Sequence, residues 1–521
     1  MTTVSPTGRM PRRLLRRIDP FAVVVGVVSL VTFALHGTAG YLSRDLGIYA
    51  YAGQQVADGV PPYEGVLNRA GPLAHLLPGL GAVLARLVGI DDLLGMRLLF
   101  MLFAVGSVIL VYLLGRELFE TPWVGLASAA AFLSFSGFIQ YASNGPREKT
   151  PMVFFLLVAL LAAARRRWLV AGLFLGVATL VLQIVFFVGA PALVVAALVG
   201  ERGRARLTAC LRIAAGGAVA LAATVLYFAV VGALDDFVQA YLLINARYTS
   251  TSPVHLDRDW RRLVSGYGAS SWALVGGLLA LPATALVAHR RSDRAAPLLT
   301  GMSVAAAVGV VWTVRDFDSW PDAFPLLPLA ALGAGGVVAA LMRLLDARAG
   351  IALAVACSLV ATAFALSFSV GERSTILDVQ RQSVDGVLDP LPADASIVSI
   401  QAPQTLVLTG KRNPTRHQMF ASGLDDYVDD TWPGGLAAFQ RSLVESQPDL
   451  VAIGRPRIAR WRRAIKEDYV TLGCAPGWTW FGRRSLGPAM VARLRAAMVE
   501  DCSTVSSALS PRPGSRLVRA R

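Results

Sequence analysis

Charged residues are scarce in this sequence, making up 16% of its 521 residues, while hydrophobic residues make up 55%. A soluble domain of ordinary composition carries about 25% charge. The apolar residues are concentrated in runs of about 20 residues, long enough to cross about 30 Å of hydrocarbon as helices. Spanning segments form helices because each must satisfy its own backbone hydrogen bonds. The composition therefore excludes an ordinary soluble protein and predicts an α-helical polytopic membrane protein.

Cysteine is rare as well, with four residues in the whole chain. Cys210 and Cys357 lie in or beside apolar runs, where cysteine behaves as a small hydrophobic residue. Cys474 and Cys502 lie in the polar C-terminal region and are candidates for a disulfide if that region is extracytoplasmic. The sequence has no Cys-x-x-Cys motif and no GxxxxGK[ST] phosphate loop. We therefore expect no cofactor and no structural metal site.

Lysine is almost absent, and the net charge of +15 comes from arginines that fall mainly in short loops between apolar runs. Membrane topology explains this distribution better than nucleic-acid binding, because cytoplasmic loops carry an excess of basic residues. The loops predicted to be cytoplasmic hold Arg116, Arg165 to Arg167, Arg202, Arg204, Arg206, Arg290, Arg291, Arg294, Arg343 and Arg348.

About eleven transmembrane helices are predicted, after a basic cytoplasmic tail at 1–20. The transmembrane domain is expected at 21–371, with spans near 21–40, 97–115, 121–140, 151–164, 168–184, 186–200, 208–232, 268–288, 296–314, 324–342 and 350–370. The apolar stretch 72–90 is assigned to the outer membrane surface, because counting it as a span would place every later arginine cluster outside.

The chain after Glu372 has a different pattern and is predicted to form a small extracytoplasmic α/β domain at 372–502. Short β-like runs at 395–400, 405–408 and 449–453 alternate with amphipathic stretches near 436–446 and 456–467. The remaining residues, 503–521, are rich in Ser, Pro and Arg and are predicted to be disordered.

The first outer loop, 41–96, holds the most informative residues. Asp45 follows the first span, and the apolar residues after it recur at helical spacing, which predicts a short helix lying on the membrane. Asp45 is either the N-cap of this helix or a carboxylate facing the substrate, and both roles are compatible. Tyr49 of this helix and Tyr63, which ends the turn Gly-Val-Pro-Pro-Tyr, are candidate substrate contacts.

Arg69 stands alone before an apolar stretch in the same loop. One interpretation is an interface anchor whose aliphatic stem snorkels to the surface. The other is a guanidinium that binds a phosphate, a group for which arginine is well suited.

Two further outer loops carry charge. Arg147, Glu148 and Lys149 break the charge rule, which favours a functional role, although a tight self-neutralising polar loop would also explain them. The loop 315–322 offers Asp316 and Asp318 for sugar hydroxyls and Trp320 for stacking on a sugar ring. A solvated acidic loop with an interfacial aromatic residue explains that second loop equally well.

The order of these features resembles the first outer loop of the GT-C glycosyltransferases. The resemblance is strongest to glycosyltransferase family 39, the protein O-mannosyltransferases, and to their lipid A aminoarabinose transferase relatives. It implies that Asp45 acts as a catalytic base or positions the acceptor, with Glu148 as a second acidic residue of the site. It also implies that Arg69 binds the carrier phosphate, with help from Arg147 or Lys149. Leu46 stands where the family commonly has a second acidic residue.

The resemblance therefore implies an inverting glycosyltransferase in the plasma membrane that takes a hexose or pentose from a polyprenyl-phosphate donor. The acceptor is a glycan, a lipid or a protein of the cell envelope. A transporter or lipid flippase is the alternative, although the notable charges gather on one face and none lies in mid-span. A non-catalytic scaffold that presents the C-terminal domain is a third possibility.

Overall fold

The structure is a computed structural model that describes residues 19–249, 254–421, 423–454 and 458–498. Most of the predicted basic tail and all of the predicted disordered tail lie outside these ranges. Cys502 also lies outside them, so the predicted bond to Cys474 stays a prediction.

The first three quarters of the described chain are helical. The helices are α1 Pro20–His36, α2 Arg44–Ala57, α3 Leu73–Val88, α4 Asp92–Phe119, α5 Pro122–Leu133, α6 Ser136–Asn144, α7 Lys149–Ala164, α8 Trp168–Val181, α9 Phe186–Gly200, α10 Arg204–Val230, α11 Leu234–Phe237, α12 Ile244–Arg247, α13 Leu256–Tyr267, α14 Ser270–Arg290, α15 Ala296–Arg315, α16 Leu327–Met342 and α17 Ala347–Gly371. Short 3-10 turns cover Gln183–Val185 and Trp320–Leu326, and a π-helix covers Val238–Leu243.

Each of the eleven predicted spans coincides with a helix or with a broken helix pair. Among the described residues, seven helical segments are long and apolar enough to cross a membrane, and α5 with α6, bent by 74°, makes an eighth if counted as one span. The helices α1, α7 and α8 are apolar but shorter, with 17, 16 and 14 residues. A multi-pass membrane protein is therefore confirmed, while the count of eleven stays a prediction.

Glycines let the bundle helices approach closely. A Cβ on Gly333 of α16 would lie 1.9 Å from the Gly277 carbonyl oxygen of α14, and one on Gly172 of α8 would lie 1.9 Å from the Ile213 carbonyl oxygen of α10. Packing of this kind holds membrane helices together where no hydrophobic driving force separates protein from lipid. Larger side chains at these positions would push the helices apart.

The helices α4 and α7 run in the same direction and define the two ends of the bundle. We call the end where they begin the loop end and the end where they finish the basic end. Arg97 of α4 and Lys149 of α7 lie at the loop end, and Arg116 and Arg165 lie at the basic end. Since α7 has 16 residues, the two ends are about 24 Å apart along it.

The C-terminal region is a mixed α/β unit, as the sequence predicts. Its elements are α18 Ile376–Leu388, β1 Ile397–Ile400, α19 Pro403–Thr409, α20 Leu424–Thr431, α21 Gly435–Glu445, β2 Leu450–Gly454, α22 Ile458–Ile465, β3 Tyr469–Ala475, β4 Trp478–Arg483 and α23 Pro488–Ala496, with a 3-10 turn at Arg484–Leu486. The sheet order is β1-β2-β4-β3, with β1 and β2 parallel and the other pairs antiparallel.

Two of the three predicted strands are confirmed, as β1 and β2, and the third is wrong. Residues 405–408 belong to α19, whose first turn holds Pro403 and which ends at Gly410 with a φ of 66°. This helix packs on α2, where a Cβ on Gly47 would lie 2.7 Å from the Gln404 nitrogen. Tertiary packing thus overrides the β propensity of Thr405 and Val407.

The α/β unit packs directly on the first outer loop. The Gln380 side chain bonds both backbone groups of Leu42 at 3.0 Å, and the Leu67 N–H donates to the Arg416 carbonyl at 2.9 Å. The α2 helix is accordingly buried over most of its length, between α3 and α19, which differs from the predicted surface helix with one apolar face.

Candidate active site

A buried arginine joins the first two outer loops. The Arg97 side chain is 1% exposed, and its guanidinium donates to the carbonyls of Thr38, Gly40 and Gly145. The Gly40 N–H also donates to the Asn144 side-chain oxygen at 3.0 Å. Since these contacts fix the segment before α2 against the segment before α7, they bring Asp45 next to Arg147.

Asp45 is not the N-cap of its helix, which corrects one of its two predicted roles. Ser43 caps α2 by accepting from the Leu46 N–H at 3.3 Å, and Asp45 is the second residue of the helix. Its carboxylate is therefore not needed to cap the helix. It remains available for contacts outside the helix.

The Asp45 carboxylate lies between two guanidinium groups. One oxygen is 2.9 Å from Arg147 Nη1, and the other is 3.0 Å from Arg44 Nη2. Burial would raise the pKa of Asp45, but the charges of Arg147 and Arg44 outweigh it and hold that pKa well below its usual value. The side chain is still 42% exposed. Asp45 is thus an ionised carboxylate that a substrate can reach.

Glu148 is more deeply placed than Asp45. Its side chain is 3% exposed and lies 3.2 Å from Arg147 Nε, and Arg147 is itself 8% exposed. The Arg147 guanidinium also lies over the Tyr141 ring, 5.4 Å from its centroid. Arg147 is therefore shared between two carboxylates and an aromatic ring.

Tyr49 connects this cluster to the rest of the loop end. Its side chain is 7% exposed, and burial together with the charge of Glu148 raises its pKa well above the usual value. Tyr49 therefore stays neutral and can act as a hydrogen-bond donor beside the carboxylates.

Lys149 and the loop before α16 form a second charged group. Lys149 Nζ lies 2.5 Å from Asp322 Oδ1, and Asp322 Oδ2 accepts from the N–H groups of Asp318 and Ser319. Ser319 and Asp322 form a capping box at the start of the 3-10 turn. Burial and the neighbouring Asp322 carboxylate raise the pKa of Asp316, against the charge of Arg69. Asp316 thus lies between Lys149 and Arg69.

Arg69 differs from the other cations of the loop end. Its backbone carbonyl accepts from the side chains of Gln183 at 3.1 Å and Asn245 at 2.9 Å, which fixes its position. Its guanidinium reaches only the Thr249 hydroxyl at 3.4 Å, and it has no ion pair with a carboxylate in the part of the chain that the structure describes. Burial lowers the pKa of Arg69, with Asp316 opposing that effect. The Arg69 guanidinium is therefore influenced by the Asp316 carboxylate without forming an ion pair with it.

Three residues predicted to contact the substrate have other surroundings in the structure, and their role stays a prediction. Tyr63 is fully buried, and its hydroxyl donates to the Ala70 carbonyl at 2.8 Å, so it shapes the loop instead. Trp320 stacks on Tyr141 with centroids 4.9 Å apart, and Gly137 and Gly266 pack against the same indole. Asp318 is 87% exposed and turns toward Arg262.

Sequence reasoning missed several residues of the site. No local pattern marks Arg44, Arg97 or Asn144 as part of a site. The partners of Arg97 and Asn144 are distant in sequence. A charged residue inside an apolar run is the one signal that could have identified Arg97. No group of three or more His, Cys, Asp or Glu side chains within the described ranges is placed to hold a metal.

Comparison with known proteins supports the resemblance seen in the sequence. Residues 76–228 match the family described as Dolichyl-phosphate-mannose-protein mannosyltransferase. This stretch excludes Asp45 and Arg69. The chain matches no curated protein.

Three solved structures are similar in fold. ArnT from Cupriavidus metallidurans in the apo state has 14% identity and a TM-score of 0.61, over 92% of this chain and 98% of that chain. The same protein bound to undecaprenyl phosphate has 15% identity and a TM-score of 0.59, over 88% and 97%. The Archaeoglobus fulgidus oligosaccharyltransferase has 13% identity and a TM-score of 0.50, over 90% and 74%. The chain therefore shares the fold of these solved structures.

Proposed function

We propose that the protein transfers a sugar from a polyprenyl-phosphate carrier to an acceptor hydroxyl, with inversion at C1. The observation that carries the proposal is that two unlike charged groups are both present at the loop end. One is an ionised, solvent-reachable carboxylate, Asp45, and the other is a guanidinium without a carboxylate partner among the described residues, Arg69. Such a site suits an attacking hydroxyl at one side and a leaving phosphate at the other.

In the proposed reaction, the acceptor oxygen forms a bond to C1 while the bond from C1 to the phosphate oxygen breaks. The bonding electrons leave with the polyprenyl phosphate, and the acceptor proton passes to Asp45. Because its low pKa makes Asp45 a weak base, it first orients the hydroxyl and takes the proton late, as C1 becomes bonded.

The cations then take separate roles. Arg69 binds the leaving phosphate, since a guanidinium matches phosphate oxygens in geometry and charge. The Lys149 ammonium, which is paired with Asp322, adds a second positive charge next to the leaving phosphate. Arg147 acts as a positioning residue that keeps Asp45 ionised and oriented, which revises the phosphate-binding role expected from its sequence position.

The donor class is supported by the similar structure that holds undecaprenyl phosphate. The face of the membrane is supported by the arginines. Arg116, Arg165, Arg166 and Arg294 come from three different loops or helix ends, yet they line one cavity at the basic end. The positive-inside rule makes that end cytoplasmic and the loop end extracytoplasmic.

The direct test is transfer by purified protein in detergent or nanodiscs. Polyprenyl-phosphate-linked mannose, arabinose and aminoarabinose are supplied as donors, and the matching nucleotide sugars serve as the control donors. We expect transfer from at least one lipid-linked donor and none from nucleotide sugars. Transfer from nucleotide sugars would contradict the donor class. Movement of the intact lipid-linked sugar across a vesicle membrane, without transfer, would replace the proposal by a flippase.

A further inference from the structure

A large cavity opens at the basic end, far from the residues of the proposed reaction. Its volume is about 750 Å³, within the range of ligand-binding pockets, and it lies between the ends of α4, α7 and α9 and the start of α15. Four arginines and two glutamates line it: Arg116, Arg165, Arg166, Arg294, Glu117 and Glu120. The Asp19 and Glu201 carboxylates pair with two of these arginines. Arginine is the most frequent charged residue of the lining, which favours an anion.

Three of the four arginines of this cavity are held loosely, whereas Arg116 is closely paired with Asp19. Arg165 lies 3.5 Å from Glu117, and Arg166 lies 3.5 Å from Glu201, whereas a close charge-assisted hydrogen bond measures about 2.7–2.9 Å. Their side chains are 36% and 59% exposed. Arg294 is exposed and has no ion pair within the described ranges. These guanidinium groups can turn to an incoming anion without breaking a tight contact.

An apolar cleft adjoins the basic cavity. Its volume is about 190 Å³, and Leu118 forms part of the wall of both spaces. Ala283 and Val287 of α14 and Val337 and Leu341 of α16 line the cleft, together with Asp293 and Arg343. An anionic group in the cavity would therefore have room for a hydrocarbon chain beside it.

This combination selects the occupant. The chain's own residues before Asp19 carry Arg9, Arg12, Arg13, Arg16 and Arg17 and no carboxylate, so they have the same sign as the arginines of the cavity. A free anion would leave the apolar cleft without a function. We propose that the basic end binds an anionic phospholipid, with its phosphodiester in the cavity and one acyl chain in the cleft. This site is separate from the proposed transfer reaction and does not depend on it.

Lipid retention measured by native mass spectrometry tests this site. The protein is equilibrated with equal phosphatidylglycerol and phosphatidylcholine, in the wild type and in the Arg165→Gln/Arg294→Gln variant. The Arg290→Gln/Arg291→Gln variant is the matched control, since it removes two arginines of the same end that do not line the cavity. We expect phosphatidylglycerol to be preferred, with affinity falling about fivefold for each lining arginine, which corresponds to ~1 kcal/mol per charge. The control should stay within about twofold.

Two outcomes would overturn the phospholipid site. One is equal retention of both lipids by the wild type, and the other is an equal loss in the two double variants. Because Arg294 is exposed, Arg294→Gln alone serves if the double variant unfolds. Inorganic phosphate is tested separately. Protection against thermal unfolding by phosphate, without any phosphatidylglycerol preference, would assign the cavity to a free anion instead.

The acyl-chain part has its own test. Val337 is 44% exposed and lines the cleft, so Val337→Trp fills the cleft without disturbing a packed core. We expect it to weaken phosphatidylglycerol binding at least threefold and to leave the binding of glycerol phosphate unchanged. Unaltered phosphatidylglycerol binding in this variant would refute the placement of the chain.

Discussion

The loop end and the basic end of the bundle both gather arginines, yet they use them in opposite ways. At the loop end, Arg97 and Arg147 are nearly inaccessible and are bound to carbonyls or carboxylates at close range. At the basic end, Arg165 and Arg166 are exposed and hold their partners at 3.5 Å. The number of charges is therefore a poor guide to function, whereas burial and contact distance separate positioning residues from binding residues.

Removing Arg97 should have the largest effect, because three carbonyls would lose a charge-assisted donor at once. Such hydrogen bonds contribute about 1.5–3 kcal/mol each. We expect Arg97→Leu to lower the unfolding temperature and to abolish transfer, as seen by thermal unfolding and a transfer assay. Arg381→Leu is the matched control, because Arg381 is 43% exposed and pairs with Asp91 at the surface. Equal effects of the two changes would show that Arg97 does not hold the loops together.

Arg69→Met tests whether Arg69, which has no ion pair with a carboxylate among the described residues, binds the donor. Loss of one charge-assisted contact to phosphate should raise the KM for the lipid-linked donor about tenfold or more and leave the fold intact. Arg412→Met removes an exposed arginine that pairs with Asp58 and should change KM by less than twofold. A large fall in kcat at constant KM would instead place Arg69 at the reacting carbon.

Arg147→Met should shift the pH dependence of transfer rather than donor binding. Arg147 holds the pKa of Asp45 low, so wild-type Asp45 stays ionised throughout the range in which the assay is run. Without Arg147, burial and the remaining charges bring that pKa back toward or above the usual value of about 3.9. Transfer by the variant should then fall as the pH drops below about 5, while the wild type stays level. Parallel pH profiles would contradict the positioning role of Arg147.

The α/β unit that covers the loop end should lose stability in mild acid. Burial and the charge of Arg416 lower the pKa of His417 to about 4, so the folded state binds fewer protons than the unfolded state between pH 4 and about 6.5. The contribution of His417 is therefore complete above pH 6.5 and is lost as the pH falls toward 4. The unfolding temperature of His417→Gln should depend less on pH over this interval. If the unfolding temperature of the variant depends on pH as that of the wild type does, groups other than His417 cause the dependence.

The sequence predicts the membrane bundle well, because long apolar runs and arginine-rich loops are local signals. It also predicts the positions of Asp45, Glu148 and Lys149, since each lies next to the end of an apolar run. It fails where distant segments decide the outcome. Residues 405–408 become helical because they pack on α2, and the Trp320 indole stacks on Tyr141, which is far away in the chain. The hydrogen bonds of Arg97 to the Thr38, Gly40 and Gly145 carbonyls likewise join segments that are distant in sequence.

In the proposed reaction, Asp45 acts on the acceptor, while Arg69 binds the phosphate of the donor. Single-turnover transfer with a preloaded lipid-linked donor tests this most directly, using Asp45→Asn and, as the control, Asp318→Asn, which changes a carboxylate that is 87% exposed. We expect a rate about 10²–10⁴-fold lower for Asp45→Asn, with donor affinity within threefold of the wild type. The rate of Asp318→Asn should be normal. Normal single-turnover transfer by Asp45→Asn would contradict the account and move the catalytic carboxylate elsewhere, with Glu148 the next to be changed.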